Sequence, residues 1–369
     1  MYNKAIYVIL AAVIAMTLIT PSIPTPAFSQ VENGQNKTLR IGYFPNINHA
    51  QAVIGLGRGD FQNALGDNVQ ITTQIFNAGP PAIEAIFANQ IDVAYIGPGP
   101  AINGYVRSDG EALRIISGAA SGGAVFVVRN DSGINSPQDL ANKKFATPEL
   151  GNTQDIALRN YLLDNGLNTI EKGGNVEVLT VKNPDILTLF LTKQIDGAWV
   201  PEPWGETLVN EGGGRIFVDE RDLWPPEGKF VTAHIIARPD YLQNNPDVIK
   251  KLLEAHIDVT NWINSDKTAA IEAFNVELQK LTQKTIAADV LNASLSRINF
   301  THDPIRLSLF QDASDAYNLG FLPENPDVSR IYDLTILDQV LQESGLPTIS
   351  GFDAAGSNAT DALVSSDTG

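Results

Sequence analysis

Apolar and polar positions alternate with two different periods along the chain. The segments Leu39–Tyr43 and Val69–Phe76 have the two-residue period of β-strands. Between them, Asn46–Gly59 carries small and apolar residues at helical spacing. A further helix is predicted from Gly79 to Asn89, where the prolines after Gly79 suit the first turn, and Ile91–Ile96 has the continuous apolar character of a buried strand. This pattern predicts an α/β protein.

The same pattern occurs a second time, 104 residues further along the chain. Q-I-D-V-A-Y at 90–95 matches Q-I-D-G-A-W at 194–199, and the same offset aligns Pro80 with Pro184 and Asn48 with Asn152. The two copies share few identical residues, so the evidence is their common order of strands, turns and helices. We therefore expect two similar α/β lobes with a cleft between them, and such clefts commonly bind small ligands.

Two further strands are predicted to connect these lobes. Residues 124–129 (A-V-F-V-V-R) lead out of the first unit and residues 230–238 (F-V-T-A-H-I-I-A-R) lead back, which predicts a two-strand hinge. The remainder is mostly helical, with helices after Asn245-Pro246 and over 331–344. The expected domains are a first lobe of residues 38–126 and 230–347, with the C-terminal helices, and a second lobe of residues 127–229.

Both ends of the chain differ in composition from this folded part. Lys4 followed by the apolar run Ala5–Ile19 and by A-F-S at 27–29 predicts a secretory signal peptide over residues 1–29, with an uncleaved signal anchor as the alternative. Either form places the folded part outside the cytoplasm. Residues 30–37 form a polar leader, and residues 348–369 are predicted to be a disordered tail.

Charge and cysteine content exclude several classes of function. The chain carries 42 acidic and 25 basic residues, a formal net charge of −17. Nucleic-acid binding needs a basic surface, so we expect no nucleic-acid partner. A small anion is not excluded, because backbone dipoles can hold one locally. The absence of cysteine excludes disulfides, thiolate metal sites and a lipidated cysteine anchor.

The candidate chemistry lies where helices begin behind strand ends. The chain has no phosphate-binding loop, zinc-protease or serine-hydrolase motif, and its four histidines are widely scattered, so we expect no catalytic residue, metal site or cofactor. Helices are instead predicted to begin near Asn48, Gly79, Gly97–Pro100, Asn152, Pro184 and Pro203. Their free N–H groups suit an oxyanion. Each also has a purely structural interpretation, since capping alone would explain Asn152 or Thr153, and Glu202 could bind a ligand amine or cap a helix.

These segments together resemble the extracytoplasmic substrate-binding proteins of ABC importers for nitrate, sulfonate, taurine and related anions. The resemblance depends on five motifs in order, which are I-G-Y-F-P-N-I-N-H-A at 41–50, F-N-A-G-P-P-A-I-E-A-I at 76–86, Q-I-D-V-A-Y-I-G-P-G-P-A at 90–101, I-N-S-P-Q-D-L-A-N-K-K-F-A at 134–146 and Q-I-D-G-A-W-V-P-E-P-W at 194–204. It covers about residues 39–322 and is strongest to the aliphatic sulfonate-binding branch.

The resemblance implies a type II periplasmic-binding-protein fold, an α/β fold with two Rossmann-like lobes joined by two crossover strands. It also implies a monomer that captures a small oxyanion or organosulfonate and delivers it to an ABC permease with its cytoplasmic ATPase. The ligand contacts implied by matching positions or indicated by the loops themselves are Asn46, Asn48, His49, Gly79, Pro80, Gly97, Pro98, Gly99, Pro100, Ser121, Gly122, Gly123, Gly151, Asn152, Thr153, Gln154, Glu202 and Trp204.

Alternative functions on the same fold stay open at this point. The ligand could be bicarbonate or a pyrimidine or thiamine precursor. The chain could also be a sensory binding module, or an enzyme of the pyrimidine-precursor synthase type, although those enzymes work inside the cell with cysteine-rich iron chemistry. No arginine stands at a predicted pocket position, which suits recognition by backbone groups and does not exclude nitrate.

Overall fold

The computed structural model describes residues 37–349, so the predicted signal peptide, the leader up to residue 36 and the tail from residue 350 lie outside it. Within this range the strands are β1 (Lys37–Tyr43), β2 (Val69–Ile75), β3 (Val93–Ile96), β4 (Arg114–Gly122), β5 (Ala124–Arg129), β6 (Lys144–Thr147), β7 (Glu177–Thr180), β8 (Gly197–Pro201), β9 (Gly214–Asp219), β10 (Val231–Ala237) and β11 (Ile298–Phe300). The α-helices of the same range are α1 (Ala50–Gly57), α2 (Asp60–Leu65), α3 (Gly79–Phe87), α4 (Pro98–Arg107), α5 (Thr153–Asp164), α6 (Asn183–Leu191), α7 (Trp204–Asn210), α8 (Pro239–Asn244), α9 (Pro246–Ser265), α10 (Lys267–Thr282), α11 (Ala288–Leu295), α12 (Arg306–Asn318) and α13 (Thr335–Glu343).

The strands form two sheets, and we name each lobe after its sheet. The first lobe has six strands in the order β11-β4-β10-β3-β1-β2, and the second lobe has five in the order β7-β6-β8-β5-β9. In the first lobe β1 runs parallel to β2 and β3. In the second lobe β6 runs parallel to β7 and β8. Parallel strands joined by helices place all helix starts at one sheet edge, as the alternating sequence pattern predicts.

The chain passes between the lobes twice. It leaves the first sheet at Gly122 and enters the second at Ala124, and it returns from β9 to β10, which begins at Val231. Gly122 and Gly123 both have φ near +75°, a left-handed conformation that glycine adopts without strain. The boundaries of the two lobes stay a prediction. The predicted boundary between residues 126 and 127 lies inside β5, and β5 belongs to the second sheet.

The internal repeat corresponds to the same strand register in both lobes. Ile41 pairs with Val93 in the first lobe, and Phe145 pairs with Gly197 in the second, each 104 residues later. The aspartate of Q-I-D has the same role twice, since Asp92 Oδ2 accepts from Arg40 N at 2.9 Å and Asp196 Oδ2 accepts from Lys144 N at 3.0 Å. Each of these two hydrogen bonds lies just before the paired strand begins. The repeated aspartate therefore sets the strand alignment at the sheet edge opposite the helix starts.

Aromatic side chains fill the core of the second lobe. Trp199 on β8 is fully buried, and its ring stacks on Phe126 with centroids 5.3 Å apart. The indole Nε1 donates a 2.7 Å hydrogen bond to Glu220 Oε2. Glu220 is only 4% exposed, and this burial raises the pKa of its carboxyl to about 7.

This carboxyl predicts a specific pH dependence of stability. In the unfolded chain the pKa of Glu220 returns to its ordinary 4.5, so between about pH 4.5 and 7 the folded protein keeps a proton that the unfolded chain has lost. The unfolded state then binds fewer protons, and the free energy of unfolding falls as pH rises through this window, by about 3 kcal/mol in all. Glu220→Gln keeps an acceptor for Trp199 and removes the titrating carboxyl, and with it this pH dependence.

We expect denaturant unfolding at pH 4.5 and pH 8 to show that difference. The wild type should lose about 3 kcal/mol more stability than Glu220→Gln between the two pH values. Parallel pH profiles for the two proteins would contradict the assignment.

Candidate ligand-binding site

The carboxyl ends of the parallel strands of both lobes meet at one small cavity of about 40 Å³. A water molecule needs roughly 10–15 Å³ by the same measure, so this space suits a small polar group. The lining residues are Phe44, Asn46, Asn48, His49, Asn77, Ala78, Gly79, Gly97, Pro100, Pro148, Asn152, Thr153, Gln154, Asn183, Pro201 and Thr232. We call this space the polar cavity.

Several helices begin at the wall of the polar cavity. Gly79 and Asn183 are the first residues of α3 and α6, and Gly97 precedes the first turn of α4. Asn152 is the N-cap of α5, where its Oδ1 accepts from Asp155 N at 2.9 Å. The N–H groups of a first helical turn have no partner within the helix and carry partial positive charge. Proline at 80, 81, 98, 100 and 184 supplies no N–H, so the backbone donors of the two lobes at this wall come from residues such as Gly79, Thr153 and Asn183.

The polar cavity has no formal charge on its walls. None of its lining residues is Asp, Glu, Lys or Arg. Burial lowers the pKa of His49 to about 3, so its imidazole is neutral at physiological pH. Its ring packs against Phe44 with centroids 4.6 Å apart. The cavity therefore offers backbone dipoles and neutral side chains to whatever enters it.

Three lining side chains have buried polar atoms with no partner among residues 37–349. These atoms are Asn48 Oδ1, His49 Nδ1 and Asn183 Oδ1. Buried polar atoms in folded proteins are nearly always hydrogen-bonded, so each unpaired one calls for an explanation. Asn48, His49 and Asn183 all line the polar cavity, so a polar group placed there would meet these unpaired atoms.

Asn48 also connects the site to both crossovers. Its Nδ2 lies 3.1 Å from Gly122 O, 3.3 Å from Gly123 O and 3.2 Å from Thr232 Oγ1. Gly122 and Gly123 lie on the outgoing crossover, and Thr232 lies on the returning strand β10. A side chain on the cavity wall is therefore bonded to both segments through which the chain passes between the lobes.

The lobes approach each other closely beside the cavity. Gly99 N donates to Thr153 Oγ1 at 3.4 Å, which joins α4 of the first lobe to α5 of the second. A Cβ atom on Gly97 would lie 2.4 Å from the same Oγ1. This approach needs glycine at position 97, because a side chain there would meet Thr153 before the lobes reached the observed distance.

The structure brings half of the sequence-predicted contacts to the polar cavity. Those that line it are Asn46, Asn48, His49, Gly79, Gly97, Pro100, Asn152, Thr153 and Gln154. Those that do not are Pro80, Pro98, Gly99, Ser121, Gly122, Gly123, Gly151, Glu202 and Trp204. Ligand contact stays a prediction for the residues of both sets.

Glu202 is engaged within the protein and does not line the cavity. Its carboxylate, which is fully buried, accepts from Glu206 N, from Ser294 Oγ and from Arg297 Nη1, each at 3.0 Å. Burial raises its pKa, and the hydrogen bond from the backbone of Glu206 and the charge of Arg297 oppose that shift. Since Ser294 and Arg297 belong to the first lobe, Glu202 joins the two lobes.

The other predicted residues outside the polar cavity have identifiable positions. Trp204 borders a larger neighbouring cavity, and its Nε1 donates to Asn46 Oδ1 at 3.3 Å. Ser121 is buried on β4, and Gly151 N donates to Asp155 Oδ2 at 3.0 Å. Pro80 and Pro98 occupy first-turn positions of α3 and α4.

The cavity wall also contains residues that the sequence did not predict as ligand contacts. These are Phe44, Asn77, Ala78, Pro148, Asn183, Pro201 and Thr232. A signal existed for Asn183, because the 104-residue offset that aligns Pro80 with Pro184 also aligns Gly79 with Asn183. Thr232 gave no comparable signal. It reaches the site because β10 pairs antiparallel with β3 and β4, a long-range pairing that no local pattern specifies.

Comparison with known proteins places this architecture in a family. The family model described as NMT1-like matches residues 32–276. The chain belongs to the NMT1-like family. A Brucella abortus protein, named as a binding protein without a stated ligand, is 25% identical over 277 residues, which cover 74% of this chain and 81% of that protein.

Solved structures share the fold of this NMT1-like protein. The alkanesulfonate-binding protein of Xanthomonas axonopodis pv. citri, bound to MOPS, has a TM-score of 0.67 at 17% identity and covers 80% of this chain and 98% of its own. The periplasmic nitrate-binding protein of Synechocystis PCC 6803 has a TM-score of 0.66 at 17% identity, with 84% and 90% covered. These similarities confirm the predicted α/β periplasmic-binding-protein fold.

The part of the chain that the structure describes contains neither a metal-ligand cluster nor a membrane-spanning helix. Within residues 37–349, no group of three or more His, Asp or Glu side chains is arranged to hold a metal ion. No helix in the same range combines the length and the apolar character that a membrane span requires.

The environment of His49 predicts that its imidazole does not titrate between pH 5 and 8. Its pKa of about 3 results from burial and lies far below that range. The measurement is a two-dimensional ¹⁵N NMR titration of the ring nitrogens, with the His49 signals assigned by their loss in His49→Gln. A His49 midpoint between pH 5 and 8 would show that a charged imidazole lines the cavity.

Proposed function

We propose that this protein is the extracytoplasmic solute-binding component of an ABC importer, with no catalytic activity of its own. It captures a small oxyanion or organosulfonate between its lobes as a monomer and delivers it to the membrane permease. The observation that carries the proposal is the uncharged polar cavity, which is bounded by helix N-termini from both lobes. Dipoles and free N–H groups in such a cavity stabilise an anion without a basic side chain.

Binding to both lobes would couple capture to closure. A ligand that contacts helix starts of both lobes binds the closed form more tightly than the open one, and it shifts the equilibrium by that difference. The hydrogen bonds of Asn48 to Gly122 and Gly123 connect a cavity residue to the crossover that would bend on closure, which supports this coupling. Nitrate-, alkanesulfonate- and related anion-binding proteins share this fold, which supports the same use here.

One observation favours a second candidate ligand class, a neutral molecule with N–H groups such as a pyrimidine. The two hydrogens of Asn48 Nδ2 face three protein acceptors, and its unpaired Oδ1 is a carbonyl oxygen, which accepts hydrogen bonds and donates none. An anion without hydrogen cannot supply that donor, whereas an aminopyrimidine or the ammonium group of taurine can.

A charge reversal inside the cavity tests the anion proposal. Asn183→Asp adds a carboxylate of nearly the same shape at the first turn of α6, where an acid is compatible with the helix dipole. We expect it to weaken binding of nitrate, methanesulfonate or taurine on the order of 100-fold by repulsion, as measured by titration calorimetry. The matched control is Asn63→Asp on α2, which adds the same charge at an exposed position.

The ligands for that comparison come from a thermal-shift screen of nitrate, sulfate, methanesulfonate, taurine, bicarbonate and an aminopyrimidine. Equal loss of affinity in Asn183→Asp and Asn63→Asp would place the anion elsewhere. Binding of the aminopyrimidine alone, unchanged in Asn183→Asp, would replace the anion proposal with the neutral ligand.

The close approach of Gly97 to Thr153 provides a separate test of lobe closure. Gly97→Ala puts a Cβ atom 2.4 Å from Thr153 Oγ1, and this overpacking should weaken ligand binding by about 1–3 kcal/mol. In Gly97→Ala combined with Thr153→Ala the hydroxyl is gone, and the added methyl group has room. We therefore expect the double variant to bind as well as Thr153→Ala alone, which calorimetry of all four proteins measures. Additive losses would argue against closure onto this contact.

A further inference from the structure

A second cavity of about 410 Å³ adjoins the polar cavity and lies between the same two lobes. The two spaces share Asn46, Asn77 and Asn183 as lining residues. Its volume falls within the range of roughly 300–1,000 Å³ found for small-molecule sites, whereas the polar cavity is about a tenth as large. We call this second space the annex.

The annex differs in chemistry from the polar cavity. Apolar side chains face it from both lobes, with Pro184, Leu187 and Trp204 from the second lobe and Leu278, Ile286 and Val290 from the first. Its charged lining residues are Glu211 and Lys284, which have opposite sign and are both exposed. The annex therefore offers an apolar wall with a polar rim.

The boundary between the two spaces is formed by amide side chains. Asn46 is fixed there by the 3.3 Å hydrogen bond from Trp204 Nε1, and the ring of Trp204 lines the annex. A molecule that extended past Asn46 and Asn183 would pass from an uncharged polar environment into an apolar one. Such a molecule would have its polar end in the polar cavity and its apolar end in the annex.

We infer that the natural ligand is amphipathic, with a small polar or anionic head in the polar cavity and an apolar substituent of several carbons in the annex. This inference rests on the proposed function and narrows its ligand class to organic anions such as sulfonates. A bare inorganic anion leaves water against the apolar walls of the annex. A hydrocarbon substituent displaces that water and buries apolar surface of both lobes, which favours closure.

A homologous series of n-alkanesulfonates from methane- to hexanesulfonate tests the inference by titration calorimetry. Each methylene that enters the annex should increase affinity about fourfold. Leu187→Gln places a polar group in the annex wall, and Ala287→Phe fills part of the space from the first lobe. Both variants should bind hexanesulfonate at least tenfold more weakly than the wild type, and methanesulfonate within twofold of it.

The matched control is Leu191→Gln, which makes the same change on the same helix α6. Leu191 is 49% exposed and lines neither cavity. This variant should keep the full chain-length dependence, and circular dichroism melts of all variants verify their folding.

The possible results separate the two proposals. If methanesulfonate binds and added methylenes do not increase affinity, the inference about the annex is wrong and the proposed function is unaffected. A chain-length dependence that persists undiminished in both Leu187→Gln and Ala287→Phe would place the substituent elsewhere and also overturn the annex. Failure of every sulfonate and of nitrate to bind would overturn the proposed function itself, and the inference with it.

Discussion

Parallel strand pairing is the constraint on which the rest of this structure depends. Once β1 is paired with β2 and β3, and β6 with β7 and β8, every following helix must begin at the same sheet edge. Asp92 and Asp196 fix this pairing from the opposite edge through equivalent hydrogen bonds to the backbone of β1 and β6. The polar cavity exists because the two edges face each other.

The site achieves polarity without charge. Its lining residues carry no acid or base that is charged at neutral pH, since burial keeps His49 neutral. The whole chain is strongly acidic, so an anion would be attracted only by local dipoles and N–H groups and not by the overall field. The charged residues near the site instead connect the lobes, as Glu202 does with Arg297. Neutral residues of the cavity wall also contribute to lobe contact, since Thr153 accepts from Gly99 N and Asn46 accepts from Trp204 Nε1.

Local sequence pattern was sufficient to predict most helix starts, and through them about half of the cavity wall. Glycine and proline at 79–80 and 97–100 mark first turns regardless of the rest of the fold, and Asn152 is an N-cap in any context. The same reasoning left Glu202 between a ligand amine and a helix cap. Its carboxylate accepts from Glu206 N in the first turn of α7, and its further bonds depend on what packs against it. Its partners Ser294 and Arg297 lie more than 90 residues away.

The sequence by itself determined the two-lobe α/β plan, because periodicity, turn residues and the 104-residue repeat are local properties of the chain. Only the tertiary structure decided which of those helix starts share one cavity, since that depends on how β10 inserts between β3 and β4 and on how closely α4 meets α5. It also decided the chemistry of the annex, where residues of α6, α7 and α10 to α11 meet from opposite lobes. Contacts between such distant segments follow from packing, and no local pattern encodes them.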